Sequence, residues 1–171
     1  MTKDFSHIVR LAEIPTSGLT VSLSADEAAR RQIAREHGLV ALERLEAQVA
    51  VKPWFDGGEI SGRWQADYVQ TCGVTLERMD QRQSGDFTVR AVPPGSLHAP
   101  VEEAEAEIDL EADDSPDIAE GGVIDLAAYV VEHLALDIDP FPRKPDAQFT
   151  PPDDGVELSP FAVLKRLRQE D

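Results

Sequence analysis

The sequence predicts an α+β fold: an antiparallel β-meander with two main helices packed on or beside it and a short C-terminal helix. Curling of the sheet into a barrel is an open alternative. Three observations predict this. Ile60, Gly62, Trp64, Ala66, Tyr68 and Cys72 fall on alternate positions, with Ser61, Arg63, Gln65, Asp67 and Thr71 between them. A period of two places one face in a core and the other in water, the mark of a half-buried antiparallel strand. The same alternation recurs in Phe87-Thr-Val-Arg-Ala91 and upstream at Leu45, Ala47, Val49 and Val51. Short Gly-containing breaks join these runs, as in a meander.

The 171 residues suffice for one domain with its own core, and 42% are hydrophobic. Aromatics make up only 6%, so that core is mostly aliphatic. The net charge of −17 repels nucleic acid at long range and favours basic partners. A single cysteine excludes an internal disulfide and a Cys-based zinc site. The N-terminus has no apolar core of signal-peptide length, and no run approaches the ~20 apolar residues of a spanning helix. A cytoplasmic protein with no membrane and no DNA partner is expected.

In chain order, Phe5 to Leu11 reads as a first strand and Leu19 to Leu23 as a second. Ser24 and Glu27 have capping-box spacing for a helix over 25–37, with Gly38 as its C-terminal cap. Its apolar face is thin (Ala25, Ala28, Ala29, Ile33), so it reads as a surface helix on one sheet edge. Val40 to Lys52 is the third strand, closed by Pro53, Gly57 and Gly58, with Trp54 and Phe55 packing at the turn. Glu59 to Cys72 is the fourth and Leu76 to Val92 the fifth, its polar middle (Asp80 to Gly85) bent or looped.

Beyond Pro93 the charge changes. No Lys or Arg occurs between Ala91 and Pro142, while Glu102, Glu103, Glu105, Glu107, Asp109, Glu111, Asp113, Asp114, Asp117 and Glu120 crowd one stretch. Such a block repels itself and reads as a solvated loop over 93–121, within which Ile108-Asp-Leu110 could add a short strand, as could Val123-Ile124 just after it. Asp125 caps a second helix to about Leu136, whose Leu126, Val130 and Leu134 form a stripe able to cover the sheet. Residues 1–140 thus form one α+β domain, and 141–171 a proline-rich linker and a docking helix opening at Ser159-Pro160-Phe161.

Four segments in this order carry a resemblance: Tyr68 to Glu77, the helix opening at Asp125, Asp139-Pro-Phe-Pro-Arg-Lys-Pro145, and Ser159-Pro-Phe-Ala-Val-Leu-Lys-Arg-Leu167. Together they resemble the YceD family, the large ribosomal RNA subunit accumulation proteins, from about Leu19 to Leu167. The resemblance implies a cytoplasmic role in making or maturing large-subunit ribosomal RNA, with no catalytic mechanism established. Many members carry Cys-x-x-Cys at the turn after the fourth strand. Here Cys72 stands at the first position and Thr75 at the second, so paired-thiol chemistry is not available to this chain.

The candidate site residues follow. Arg30, Arg31, Arg63 and Arg90, with Arg35, Arg44, Arg78 and Arg82, could gather into a basic patch that contacts RNA. Against this, RNA contact through a sheet wants outward aromatics, and Trp64, Tyr68 and Phe87 face inwards. Glu102, Glu103, Glu105 and Glu107 could mimic RNA charge and engage a basic ribosomal protein. Phe141, Arg143, Lys144, Phe161 and Leu164 lie in segments that either tuck onto their own sheet or dock to a partner. Cys72 reads as a small buried residue at a turn. His7, His37, His98 and His133 lack ligand spacing, and no phosphate loop, nucleophile elbow or His-Glu-x-x-His occurs. The expectation is a non-enzymatic factor in large-subunit biogenesis, without metal or cofactor. It would bind precursor RNA, a basic ribosomal protein, or both. The alternative is a metal-dependent RNA-processing enzyme.

Overall fold

The computed structural model describes residues 5–100 and 114–149. Its centre is an open sheet built from β2 (Leu19–Ser24), β3 (Ala41–Trp54), β4 (Gly57–Thr71), β5 (Arg78–Val92) and β6 (Asp117–Ile118), in that order. Neighbours pair antiparallel except β5 and β6, which run parallel. The ends do not meet, so the sheet is not a barrel. A separate two-stranded sheet joins β1 (Ile8–Arg10) to β7 (Val123–Asp125). Helix α1 (Glu27–Glu36) links β2 to β3, and α2 (Leu126–Asp137) follows β7.

Alternation sorts the meander as the sequence predicts. Val49, Val51, Ile60, Trp64, Ala66 and Tyr68 are buried on one face. Both helices deliver side chains to that same core: Ala29 and Ile33 from α1, and Leu126, Val130 and Leu134 from α2. The His133 ring on α2 stacks on Phe87 of β5 at 4.3 Å and 8°. Gly62 on β4 makes room for this, because a Cβ there would overlap the Phe87 ring.

Several expectations are corrected. The cap of α1 is Asp26, whose carboxylate accepts from the Ala29 amide at 2.9 Å, not Ser24. Ser24 is still paired with Glu46, and the Ala25 amide bonds Leu45 O, so the chain leaves the sheet too late for Ser24 to cap. The third strand runs through Pro53 to Trp54. The polar middle of β5 is not looped; it pairs with β4 without interruption from Arg78 to Ala91. Its polar side chains find partners: Tyr68 Oη donates to Gln83 Oε1 at 2.6 Å, and Gln83 Nε2 donates to Asp137 O at 2.9 Å. The first strand is three residues long and belongs to the small sheet.

The expected cap of α2 is present and has a second role. Asp125 Oδ1 accepts from the Ala127 amide at 3.0 Å and from the His7 amide at 2.8 Å, so one carboxylate starts the helix and holds the N-terminal strand. Within the acidic stretch expected to be a loop over 93–121, Asp117 instead belongs to a strand and accepts from Tyr129 Oη at 2.8 Å. Burial and the Asp117 carboxylate push the Tyr129 phenol well above its ordinary pKa. The expected short strand at Ile108 and Leu110 and the helix from Ser159 lie outside the described residues.

Candidate functional site

The face of the sheet opposite the helices carries the polar residues of the alternation. Two shallow hollows of about 500 and 510 Å³ lie on it, both lined by Gln48 and Arg63. Short hydroxyl side chains surround them: Ser22, Ser24 and Ser84 in one, Thr20, Ser61 and Thr88 in the other. Arginines and carboxylates interleave across this face. Asp67 takes Arg44 Nε at 2.9 Å and Arg82 Nε at 2.8 Å. The Arg82 hydrogen bond, aided by Arg44, holds the Asp67 carboxyl below its ordinary pKa although burial opposes it. Arg90 reaches Glu59 at 3.3 Å, and Arg63 stands opposite Asp86 in the register.

The predicted arginines therefore do not merge into an unbroken basic patch. Arg63 and Arg90 share the open face, each beside an acid. Arg30 and Arg31 sit on α1. Arg30 Nη1 donates to Ala25 O at 2.7 Å, and Arg31 pairs with Glu27 at 2.8 Å. The inward placement of Trp64, Tyr68 and Phe87 is as expected.

At one end of the sheet lies the turn between β4 and β5, and here the structure joins two of the quoted segments. Cys72 is fully buried. Its sulfur accepts backbone amides from Thr75 and from Lys144, each at 3.4 Å. The Gly73 amide donates to Pro142 O at 2.8 Å, Gln70 Nε2 to Asp139 O at 2.9 Å, and Lys144 Nζ pairs with Glu77 at 2.7 Å. The proline-rich segment from Asp139 to Lys144 is thus bound to the turn, and the Lys144 ammonium is engaged by its own chain. Hydrogen bonding by the Thr75 side chain, then by the Lys144 and Thr75 amides, lowers the Cys72 thiol from an ordinary 9.0 to about 6, against the opposing effect of burial. Thr75, at the second position of the family motif, supplies a hydrogen-bond donor where a second thiol would stand. Phe141 does not tuck in; it is 78% exposed, beside an exposed Arg143.

At the other end, the β3–β4 hairpin turns on Phe55 and Asp56. Phe55 stacks on His98 at 3.8 Å and 16°, Trp54 meets Phe55 edge-on at 4.7 Å, and the Arg90 guanidinium lies 5.1 Å from the Trp54 ring centre. Sequence reading placed Trp54 and Phe55 at the turn but missed the arrival of His98, 43 positions later, a contact without a local signal. Glu102, Glu103, Glu105, Glu107, Phe161 and Leu164 lie outside the described residues.

These features define an α+β protein with an open polar sheet face and two structured sheet ends. The model of the large ribosomal RNA subunit accumulation protein family, YceD, matches residues 60–168. The chain belongs to that family. No curated protein and no solved structure matches it. Among the described residues, no helix is long and apolar enough to cross a membrane.

Proposed function

We propose that the chain is a non-enzymatic cytoplasmic factor in large ribosomal subunit biogenesis, supporting accumulation of the large-subunit RNA chiefly by holding a basic ribosomal protein. One observation carries this reading: Asp67, Glu59 and Asp86 interrupt the arginines of the open face within a chain of net charge −17. Affinity for a phosphate backbone comes from cations that release its counterions, and an acid beside each arginine offsets that gain. A mixed-charge face in so acidic a chain complements a basic protein and repels RNA at long range. Residues 102–107 would steer the partner, and the segment from Ser159 to Leu164 would dock to it.

Ultraviolet crosslinking in cells, followed by denaturing purification of the tagged protein, tests the reading. The expected result is protein recovered without RNA, while native purification brings down a basic large-subunit protein. Crosslinks clustered in large-subunit RNA would overturn it in favour of direct RNA contact through the Arg63 face. Magnesium-dependent cleavage of precursor RNA by the purified chain would overturn it in favour of the enzyme.

A further inference from the structure

Phe55 has two unfavourable properties at once. Its φ is +49°, the left-handed region, at the first position of a two-residue hairpin turn where Gly, Asn or Asp is the low-strain choice. It is also 69% exposed, as is the nearby loop residue Leu97 at 98%. Folding alone would put a small residue at position 55. Backbone strain kept at an exposed aromatic argues for use of the ring.

The surroundings hold that ring in place. The His98 amide donates to Ser96 Oγ at 3.0 Å, and Ser96 Oγ donates to Asp56 Oδ1 at 2.8 Å. The loop after β5 is thereby tied to the hairpin, and His98 lies flat against Phe55. The same cluster already accommodates one guanidinium, since Arg90 lies over Trp54.

We infer that the hairpin tip, Phe55 stacked on His98 beside Trp54, is a receptor for an arginine side chain of a basic partner protein. The inference rests on the partner proposed above. The choice of ligand rests on charge. A planar guanidinium stacks on an aromatic face, and lysine does so less well. A net charge of −17, with acids beginning four residues beyond His98, attracts a cation and repels the phosphates of a nucleobase strand.

The test compares the full chain with Phe55→Gly and with a Gln variant of Glu102, Glu103, Glu105 and Glu107. The probes are an arginine-rich peptide, its lysine counterpart and single-stranded oligouridine, titrated at low salt. Phe55→Gly removes the ring and relieves the turn, so its melting temperature should equal or exceed that of the parent. It should bind the arginine peptide roughly twofold to fivefold more weakly and the lysine peptide almost unchanged, given the size of an exposed cation–π contact. Equal arginine-peptide binding by Phe55→Gly and the parent, with loss in the Gln variant, would overturn the tip while leaving the basic partner standing. Phe55-dependent binding of oligouridine, with no binding of either peptide, would overturn both.

Discussion

The backbone amide of Lys144 donates to the sulfur of Cys72 across 3.4 Å. The two residues are 72 positions apart, and the proline-rich segment joins the turn between β4 and β5 there. A sulfur that accepts the Thr75 and Lys144 amides works best as a thiolate, the form that accepts hydrogen bonds most strongly. A lone cysteine at the family-motif position therefore has a structural role without a second thiol.

Stability should follow the ionisation of Cys72. Its thiol is lowered from an ordinary 9.0 to about 6 in the folded chain, so the unfolded chain binds more protons between those values. Stability from this group is complete above the ordinary value of 9.0, falls through the window and is lost as pH drops through about 6. In urea unfolding, the advantage of the parent over Cys72→Ala should widen steadily as pH rises from about 6 to 9.0. A difference that stays flat across the window would remove the thiolate from the account.

The core face makes a separate prediction at Gly62. A methyl group there overlaps the Phe87 ring, which is itself held between β4 and His133. Gly62→Ala should cost about 1–3 kcal/mol, the usual penalty of overpacking. Combining it with Phe87→Leu should cost less than the sum of the two, because the second change removes the ring that the first one strikes. Additive costs in a double-mutant cycle would show that the overlap is relieved elsewhere.

Asp125 makes a third. Its carboxylate caps α2 and holds His7, so Asp125→Ala should lose both bonds, at about 1–2 kcal/mol for the cap alone. Asp125→Asn keeps an acceptor oxygen and should recover much of the loss. Hydrogen exchange should rise first at Ile8, Val9 and Arg10, the strand this residue secures. Unchanged exchange there would assign the N-terminal strand to other contacts.

What was legible in the sequence was what repeats locally. Strict alternation through Ile60, Trp64 and Tyr68 placed the core face, because in a strand that pattern has one solution. The stripe of Leu126, Val130 and Leu134 behind Asp125 placed α2 and its direction. Hidden were the features decided by distant partners. Asp80 to Gly85 looks like a loop until Gln83 meets Tyr68 and Arg82 meets Asp67 across the sheet. Ser24 has capping-box spacing, but pairing of its neighbour Ala25 with Leu45 delays the helix. Arginines on one sheet face suggest a basic patch until the register sets Asp86 opposite Arg63. Neither the Cys72–Lys144 contact nor the Phe55–His98 stack has a sequence period to betray it.

The last prediction concerns the acids from Glu102 to Asp117. Charges on this scale act before contact, by raising the rate at which a basic partner arrives. Replacing Glu102, Glu103, Glu105 and Glu107 with Gln removes four of the charges behind a net −17. Association with a basic large-subunit protein, followed by stopped flow, should slow on the order of tenfold at low salt. Dissociation should change little, since the variant keeps the sheet face and both sheet ends. The gap between variant and parent should close as salt rises, because the screening length falls from ~30 Å at about 0.01 M to ~3 Å at about 1 M. An association rate that is unchanged at low salt would leave the acidic stretch without a part in partner capture. A rate deficit that persists at high salt would mean that these residues touch the partner directly.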